Sequence, residues 1–273
     1  MRPLLALITL ATTALPAGQG SQDALQAPSE RSFLRVGMDP RAAPTAFVPG
    51  VDFSREDPRK APTLTPAQLG RIEGLEVDVM NALARRIGVE ARVVPTSWYA
   101  LEAALLEGRF DVILSSWTPH EHTPKGIAAS IPYYEWGLLV AVRADDSRIR
   151  SIPDLAGLRV GHIPDPAVQR ALSEMGKGLG TRAAVIRDNG DLLFDDLESR
   201  TIDALIFDSL YVRWRVSRDR SFRVVGEPLN RLGYHVGVRR EDSELLRKIN
   251  AAIRDLAGSE EMHSIRRTWE GPP

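Results

Sequence analysis

Cysteine is absent from the 273 residues. That excludes a disulfide framework, a thiolate nucleophile, a cysteine-ligated metal centre and a lipid attached to cysteine. An excess of either charge is missing too: 35 Lys and Arg stand against 36 Asp and Glu, a net charge of −1. Such a chain offers no broad basic field to a phosphate backbone, so no nucleic-acid partner is expected. Aromatic residues are scarce at 6%, which makes each tryptophan worth locating. There is no GxxxxGK[ST] phosphate loop and no GxSxG nucleophile turn. No cofactor and no resident metal are expected.

Hydrophobic residues make up 43% of the chain, enough to bury an ordinary core. The length corresponds to roughly two domains or lobes at about 150 residues each. The one long apolar run is at the amino terminus: Arg2, then Leu4 to Leu15, then the small residues Ala17, Gly18 and Gly20. A positive residue, a short apolar stretch and small residues are the layout of a secretory signal peptide, and the run is too short to span a bilayer. Residues 1–20 are read as that signal and 21–31 as a flexible polar leader. With no cysteine to carry a lipid, the expected product is a free periplasmic protein.

After residue 32, strand and helix patterns alternate. LRVGM (34–38), ARVVP (91–95), FDVILS (110–115) and LLVAVR (138–143) read as strands; 74–87 and 98–107 read as amphipathic helices that stop at Gly88 and Gly108. A second unit begins near Ile152, with strands at 158–163 and 202–207, helices from Pro166 and over about 190–199, and a strand at 234–239 leading back. The tail, 242–269, reads as two helices divided near Gly258. This order predicts parallel sheets with crossover helices. Residues 48–73, with Pro49, Pro58, Pro62 and Pro66, form a loop longer than such connections usually are.

Eight segments in order carry a family resemblance: LRVGMD (34–39), GLEVDVMNALARRIG (74–88), VPTSW (94–98), GRFDVILSS (108–116), PYY (132–134), DLAGLRVG (154–161), IDALIFD (202–208) and RRTWE (266–270). Together they resemble the periplasmic solute-binding proteins of polar amino-acid ABC uptake systems, over about residues 32–271. The resemblance implies an α/β fold of two lobes, the type II periplasmic binding protein fold. Each lobe would be a mainly parallel sheet flanked by helices, joined by two hinge strands and closing on a ligand. Lobe 1 is expected over 32–141 plus 238–273, with 48–73 inserted, and lobe 2 over 142–237.

In open α/β sheets ligands bind beyond the carboxyl ends of strands, and Asp39, Ser115, Ser116 and Asp208 all stand at such ends. By resemblance, Asp208 takes the ligand's ammonium group, while Ser115, Ser116, Trp117 and Thr118 form the binding turn of lobe 1. Trp98 matches a pocket wall and Asp39 an acidic position at the end of the first strand. Hydroxyls that donate and accept suit a polar head group. An N-cap role for Asp208 and a core role for Trp98 are equally compatible with their positions.

Departures from the family concern the ligand's carboxylate. The clamping arginine aligns with Thr123, and the lobe 2 turn that donates amides aligns with Asp165, Pro166 and Ala167. Pro166 has no amide proton, and Asp165 would repel an anion. The cation side is kept while the carboxylate side is dismantled, which predicts a small cationic or polar, amine-bearing ligand. Lys125 or Arg41 supplying the lost charge would instead allow an amino-acid-like one. The expected partners are that ligand and the membrane permease of an ABC transporter, with the protein a monomer and no catalyst. The alternatives are a ligand sensor signalling to a membrane partner and an exported enzyme resembling cyclohexadienyl dehydratase, whose acid would align with Tyr211. His120, Glu121 and His122 lack the spacing of a zinc motif.

Overall fold

The structure is a computed structural model that describes residues 32–53, 55–164, 183–187 and 190–270. The signal segment, the leader, Asp165 and the helix expected from Pro166 lie outside the described residues.

In chain order the first unit contains β1 (Phe33–Met38), β2 (Arg41–Ala42), β3 (Ala46–Phe47), α1 (Pro66–Leu69), α2 (Leu75–Ile87), β4 (Glu90–Pro95), α3 (Leu101–Leu106), β5 (Val112–Ile113) and β6 (Ile127–Trp136). The second contains β7 (Leu138–Arg143), β8 (Arg159–His162), β9 (Ala183–Ile186), α4 (Gly190–Glu198), β10 (Ala204–Asp208), α5 (Ser209–Arg218) and β11 (Phe222–Val225). The chain then returns through β12 (Leu232–Arg239) to α6 (Ser243–Ala257) and α7 (Glu260–Glu270).

Two five-stranded sheets result, in the orders β4-β1-β5-β12-β6 and β11-β7-β10-β8-β9. β1 runs parallel to β4 and β5, whereas β12 pairs antiparallel with β5 and β6. The second sheet is mixed in the same way, with β10 parallel to β8 and antiparallel to β7. The crossover helices explain the parallel pairs; the antiparallel ones come from the strands that carry the chain between sheets. β7 belongs to the second sheet and β12 to the first, so the chain changes sheets at Gly137 and again over 226–231. Both points precede the boundaries at 141 and 237 that the family resemblance suggests.

The local rules are visible in α2. Leu75, Val79, Met80 and Leu83 line its buried face, Glu76 and Asp78 sit in its first turn, and Arg85 and Arg86 in its last, matching the helix dipole. Gly88 closes it at φ 83°, a left-handed cap that glycine adopts without strain. α6 and α7 return to pack on α2: Trp269 donates its Nε1 to Asp78 at 2.7 Å, and Arg86 pairs with Asp255 and Glu261. Leu210 of α5 is buried in this same core, so the second unit touches the first beside its helix layer.

The two crossing segments pack against each other. The Gly137 amide donates to Ser209 Oγ, its carbonyl accepts the Ser209 amide, and the Leu138 amide donates to Asn230 Oδ1 at 2.9 Å. A Cβ on Gly137 would run into the Asn230 carbonyl oxygen and lie 3.0 Å from Pro228 Cβ. Backbone cannot step aside as a side chain can, so Gly137→Ala is expected to lower stability by about 1–3 kcal/mol, the range of overpacked cores. A urea midpoint indistinguishable from that of the natural chain would show that the crossing tolerates a methyl group.

Candidate functional site

The carboxyl ends of β1, β4, β5 and β10 converge where the two units meet, and the candidate residues hang from them. Asp39 follows β1 and is 8% exposed. Its carboxylate is fully engaged within the chain: Arg41 donates Nε at 2.7 Å and Nη2 at 2.6 Å, and the Trp98 amide donates at 2.8 Å. Its own amide donates to Ser115 Oγ at 3.0 Å. Asp39 is therefore paired with Arg41 in this structure. The neighbouring carboxylate holds the Arg41 guanidinium above its usual pKa. The same pair removes Arg41 as a carboxylate clamp, because its Nη2 also donates to the Pro58 carbonyl at 2.9 Å and Nη1 reaches the Asp57 carbonyl at 3.5 Å.

Those carbonyls belong to the long 48–73 loop, which thus lies across the ends of β1 and β4. Ser97 Oγ fastens it further by donating to the Pro58 carbonyl at 2.6 Å. Trp98 is 48% exposed and stands edge-on to Tyr99, their centroids 5.8 Å apart. An aromatic wall is available there. Trp117 is not part of it. Its ring sinks into the core with Leu101, Leu105 and Phe110, and its Nε1 donates to Glu102 at 2.9 Å. Burial of the large ring wins over exposure because a partner for the indole N–H is within reach.

Ser116 is one of two non-glycine residues with positive φ among the described residues, at 50°. A buried carboxyl holds it there. Glu76, on the inward face of α2, accepts from the Ser116 amide and hydroxyl and from the Tyr133 hydroxyl, all on Oε1. Its Oε2 is buried and makes no hydrogen bond among the described residues. Burial, helped to a lesser degree by the charge of Asp208, raises the Glu76 carboxyl from its ordinary 4.5 to about 7, against the hydrogen bonds from Tyr133 and Ser116, which favour the charged form. The sequence held a signal for this residue. Glu76 lies three and four positions before Val79 and Met80, on the apolar stripe itself.

Asp208 ends β10 and caps α5. Its Oδ1 accepts the Leu210 and Tyr211 amides at 2.7 and 3.3 Å, and its other oxygen accepts the Tyr234 hydroxyl. The capping role therefore exists alongside a position facing Glu76. Tyr234 stacks between Tyr134 and Trp136, with centroids 5.8 and 5.3 Å away. Burial and the neighbouring Asp208 raise the Tyr234 phenol well above its ordinary value, so it stays a donor. Thr118 Oγ1 donates to the Gly233 carbonyl at 2.9 Å and receives the Trp136 Nε1 at 3.3 Å, tying the serine turn to the crossing strand.

Thr123 lies away from this group. Its Oγ1 accepts the His120 amide, and with Trp117, Lys125 and Arg240 it lines an open cavity of about 430 Å³ at the start of β6. His120 meets Glu102 at 3.3 Å and His122 meets Glu121 at 3.5 Å; no three metal-binding side chains cluster among the described residues. Tyr211 donates to Asp191, and burial raises its phenol above the ordinary range, so it keeps its proton at neutral pH.

Removing Arg41 strands a buried carboxylate. Arg41→Ala should cost about 3 kcal/mol or more, and Arg41→Ala combined with Asp39→Asn should recover part of it. Additive losses in that cycle would mean the two side chains do not interact. A separate test concerns Glu76. Its raised pKa makes the folded chain bind a proton that the unfolded chain has released. The associated stability is complete below pH 4.5 and lost as pH rises through about 7. Chemical denaturation from pH 5 to 8 should show this fall in the natural chain and a flatter profile in Glu76→Gln; equal slopes would place the titrating group elsewhere.

The comparisons with known proteins agree with the architecture. The model for bacterial extracellular solute-binding proteins, family 3, matches residues 57–272. The L-cystine-binding protein TcyJ of Escherichia coli (strain K12) is 26% identical over 273 residues, covering 97% of this chain and 95% of its own. A solved ancestral arginine-binding protein bound to arginine superposes with a TM-score of 0.66 at 27% identity, covering 88% of this chain and 99% of its own. The ancestral amino acid-binding protein AncCDT-1, a precursor of cyclohexadienyl dehydratase, gives 0.65 at 25% identity over 88% and 95%. The family match spans most of the sequence, runs through both sheets and includes every candidate residue except Asp39 and Arg41: the chain belongs to the bacterial extracellular solute-binding proteins of family 3.

Proposed function

We propose that the chain is the periplasmic receptor of an ABC uptake system and captures a small amine-bearing solute between two closing lobes. The observation that carries this reading is the pair of acidic groups brought together at the junction of the sheets. Glu76 of the first unit accepts the Tyr133 hydroxyl and Asp208 of the second accepts the Tyr234 hydroxyl, and the two phenol rings lie with centroids 6.2 Å apart. Two carboxyl groups in a site screened from water repel each other, and a cation between them relieves the repulsion. Ser116 and the Tyr133 and Tyr234 hydroxyls supply the polar lining. Trp98 supplies an exposed aromatic face on which an ammonium or guanidinium can rest.

The two lobes are assigned as the units built on the two sheets, with 48–73 as a fixed part of the mouth. The leader sequence 1–20 supports export through a cleaved signal, and names among the relatives, such as the histidine-binding periplasmic protein of Escherichia coli, support the periplasm. Binding without catalysis is favoured over dehydratase chemistry because elimination needs a placed acid, and Tyr211, at the aligned position, holds its proton and donates it to Asp191. An amino-acid-like ligand is the second form of this reading: Lys125 is exposed and, with Arg240, lines the same cavity as Thr123, offering a cation to a carboxylate.

A thermal-shift panel of α-amino acids, polyamines and quaternary amines against the mature chain tests the ligand class. Ligand at a hundred times its Kd adds about 2.7 kcal/mol of stability, a readable rise in Tm. Asp208→Asn keeps an N-cap side chain but deletes the charge. It should weaken amine binding by about ten- to a hundredfold, the scale of a charge-assisted bond. Undiminished affinity in a folded Asp208→Asn protein would remove the cation site from Asp208.

A further inference from the structure

We propose that Glu76 is a positioning residue of the ligand turn that trades its proton for the ligand's positive charge, so that capture of an amine at Ser116 and Asp208 expels a proton to solvent. The inference rests on the amine reading of the site given above.

Its geometry has three parts. Glu76 is fully buried, and one oxygen, Oε1, gathers all its hydrogen bonds, from Ser116 and Tyr133. The other oxygen, Oε2, is buried with no hydrogen bond among the described residues. An anion with one oxygen unsolvated is costly, so the empty oxygen is where a proton stays. The three donors, meanwhile, hold Ser116 in a left-handed conformation that a serine does not favour on its own. One carboxyl thus shapes the turn and stores a proton behind it.

The surrounding charges set the direction of exchange. From β6 the group facing Glu76 is the Tyr133 phenol, from β12 the Tyr234 phenol, and from the second unit Asp208. Both phenols stay protonated. Charges elsewhere on α2 and its neighbours are matched among themselves: Asp78 accepts Trp269, Arg86 pairs with Asp255 and Glu261, Arg85 with Glu261, and Arg92 meets Glu90 on β4. Burial is the main reason Glu76 keeps its proton, and the charge of Asp208 adds to it. A cation bound at Asp208 cancels that influence and adds its own attraction for a negative Glu76. The O–H bond of Glu76 breaks, its electron pair remains on Oε2, and the proton passes to buffer. By linkage, whatever releases a proton on binding binds more tightly at higher pH.

The test uses L-arginine, putrescine and choline, whose charges are constant between pH 6 and 8. Isothermal titration in phosphate and in Tris should give different apparent enthalpies near pH 7, reporting proton release. Affinity should rise about tenfold from pH 6 to pH 8, the span set by a group titrating near 7. Glu76→Gln keeps an acceptor for Ser116 and Tyr133, so it should bind with both signatures gone. Glu76→Leu keeps no acceptor, so it should lose binding at every pH while remaining folded by circular dichroism. The histidines titrate in this range too, and the Gln variant separates them. A pH slope or proton release that persists in Glu76→Gln overturns the proposal and leaves the amine site standing. Failure of all three probes to bind the natural chain overturns the amine reading, and the proposal falls with it.

Discussion

A carboxyl group buried without a counter-ion must be surrounded by donors or must keep its proton, and Glu76 does part of each. Its position on the inward stripe of α2 fixes the rest of the site. The Ser116 turn, the Tyr133 hydroxyl at the crossing strand and the charge of Asp208 are all arranged around a group that water does not reach. Because the helix carrying it is held by α6 and α7 on its outer side, the carboxyl is held on a rigid element and not on a loop.

The second arrangement is a self-contained pair. Asp39 stands at the acidic position that ends the first strand in the family resemblance, and Arg41, two residues away, together with the Trp98 amide, occupies its carboxylate. With Asp39 paired, the carboxyl groups of Glu76 and Asp208 stand at the junction of the two sheets, each held by a tyrosine hydroxyl from β6 or β12.

Much of the fold is legible in the sequence. The stripe Leu75, Val79, Met80, Leu83, the stop at Gly88, the strand ends bearing Asp39 and Asp208, and the split at Gly258 all follow from local rules. The strand at 127–136 is harder to read, because Pro132, Tyr134 and the exposed positions break the alternation while its register with β12 shifts twice. Site chemistry is less legible still. The burial of Trp117 depends on Glu102 of α3, 15 residues earlier, lying within hydrogen-bond reach, and the engagement of Asp39 depends on a rotamer of Arg41 fixed by carbonyls from a remote loop. Such outcomes are decided by packing across the chain, which no local pattern encodes.

The way the 48–73 loop is fastened has a consequence for variation among relatives. Around its middle, its hold on the mouth passes through the main-chain carbonyls of Asp57 and Pro58, gripped by Arg41 and Ser97, while Val48 and Ile72 anchor its two ends by packing. The exposed side chains near those carbonyls, such as Arg59 and Lys60, can thus be exchanged without loosening it, provided the backbone path is kept. The rim can be redecorated, by mutation or by design, as an interchangeable surface mounted on an invariant clasp.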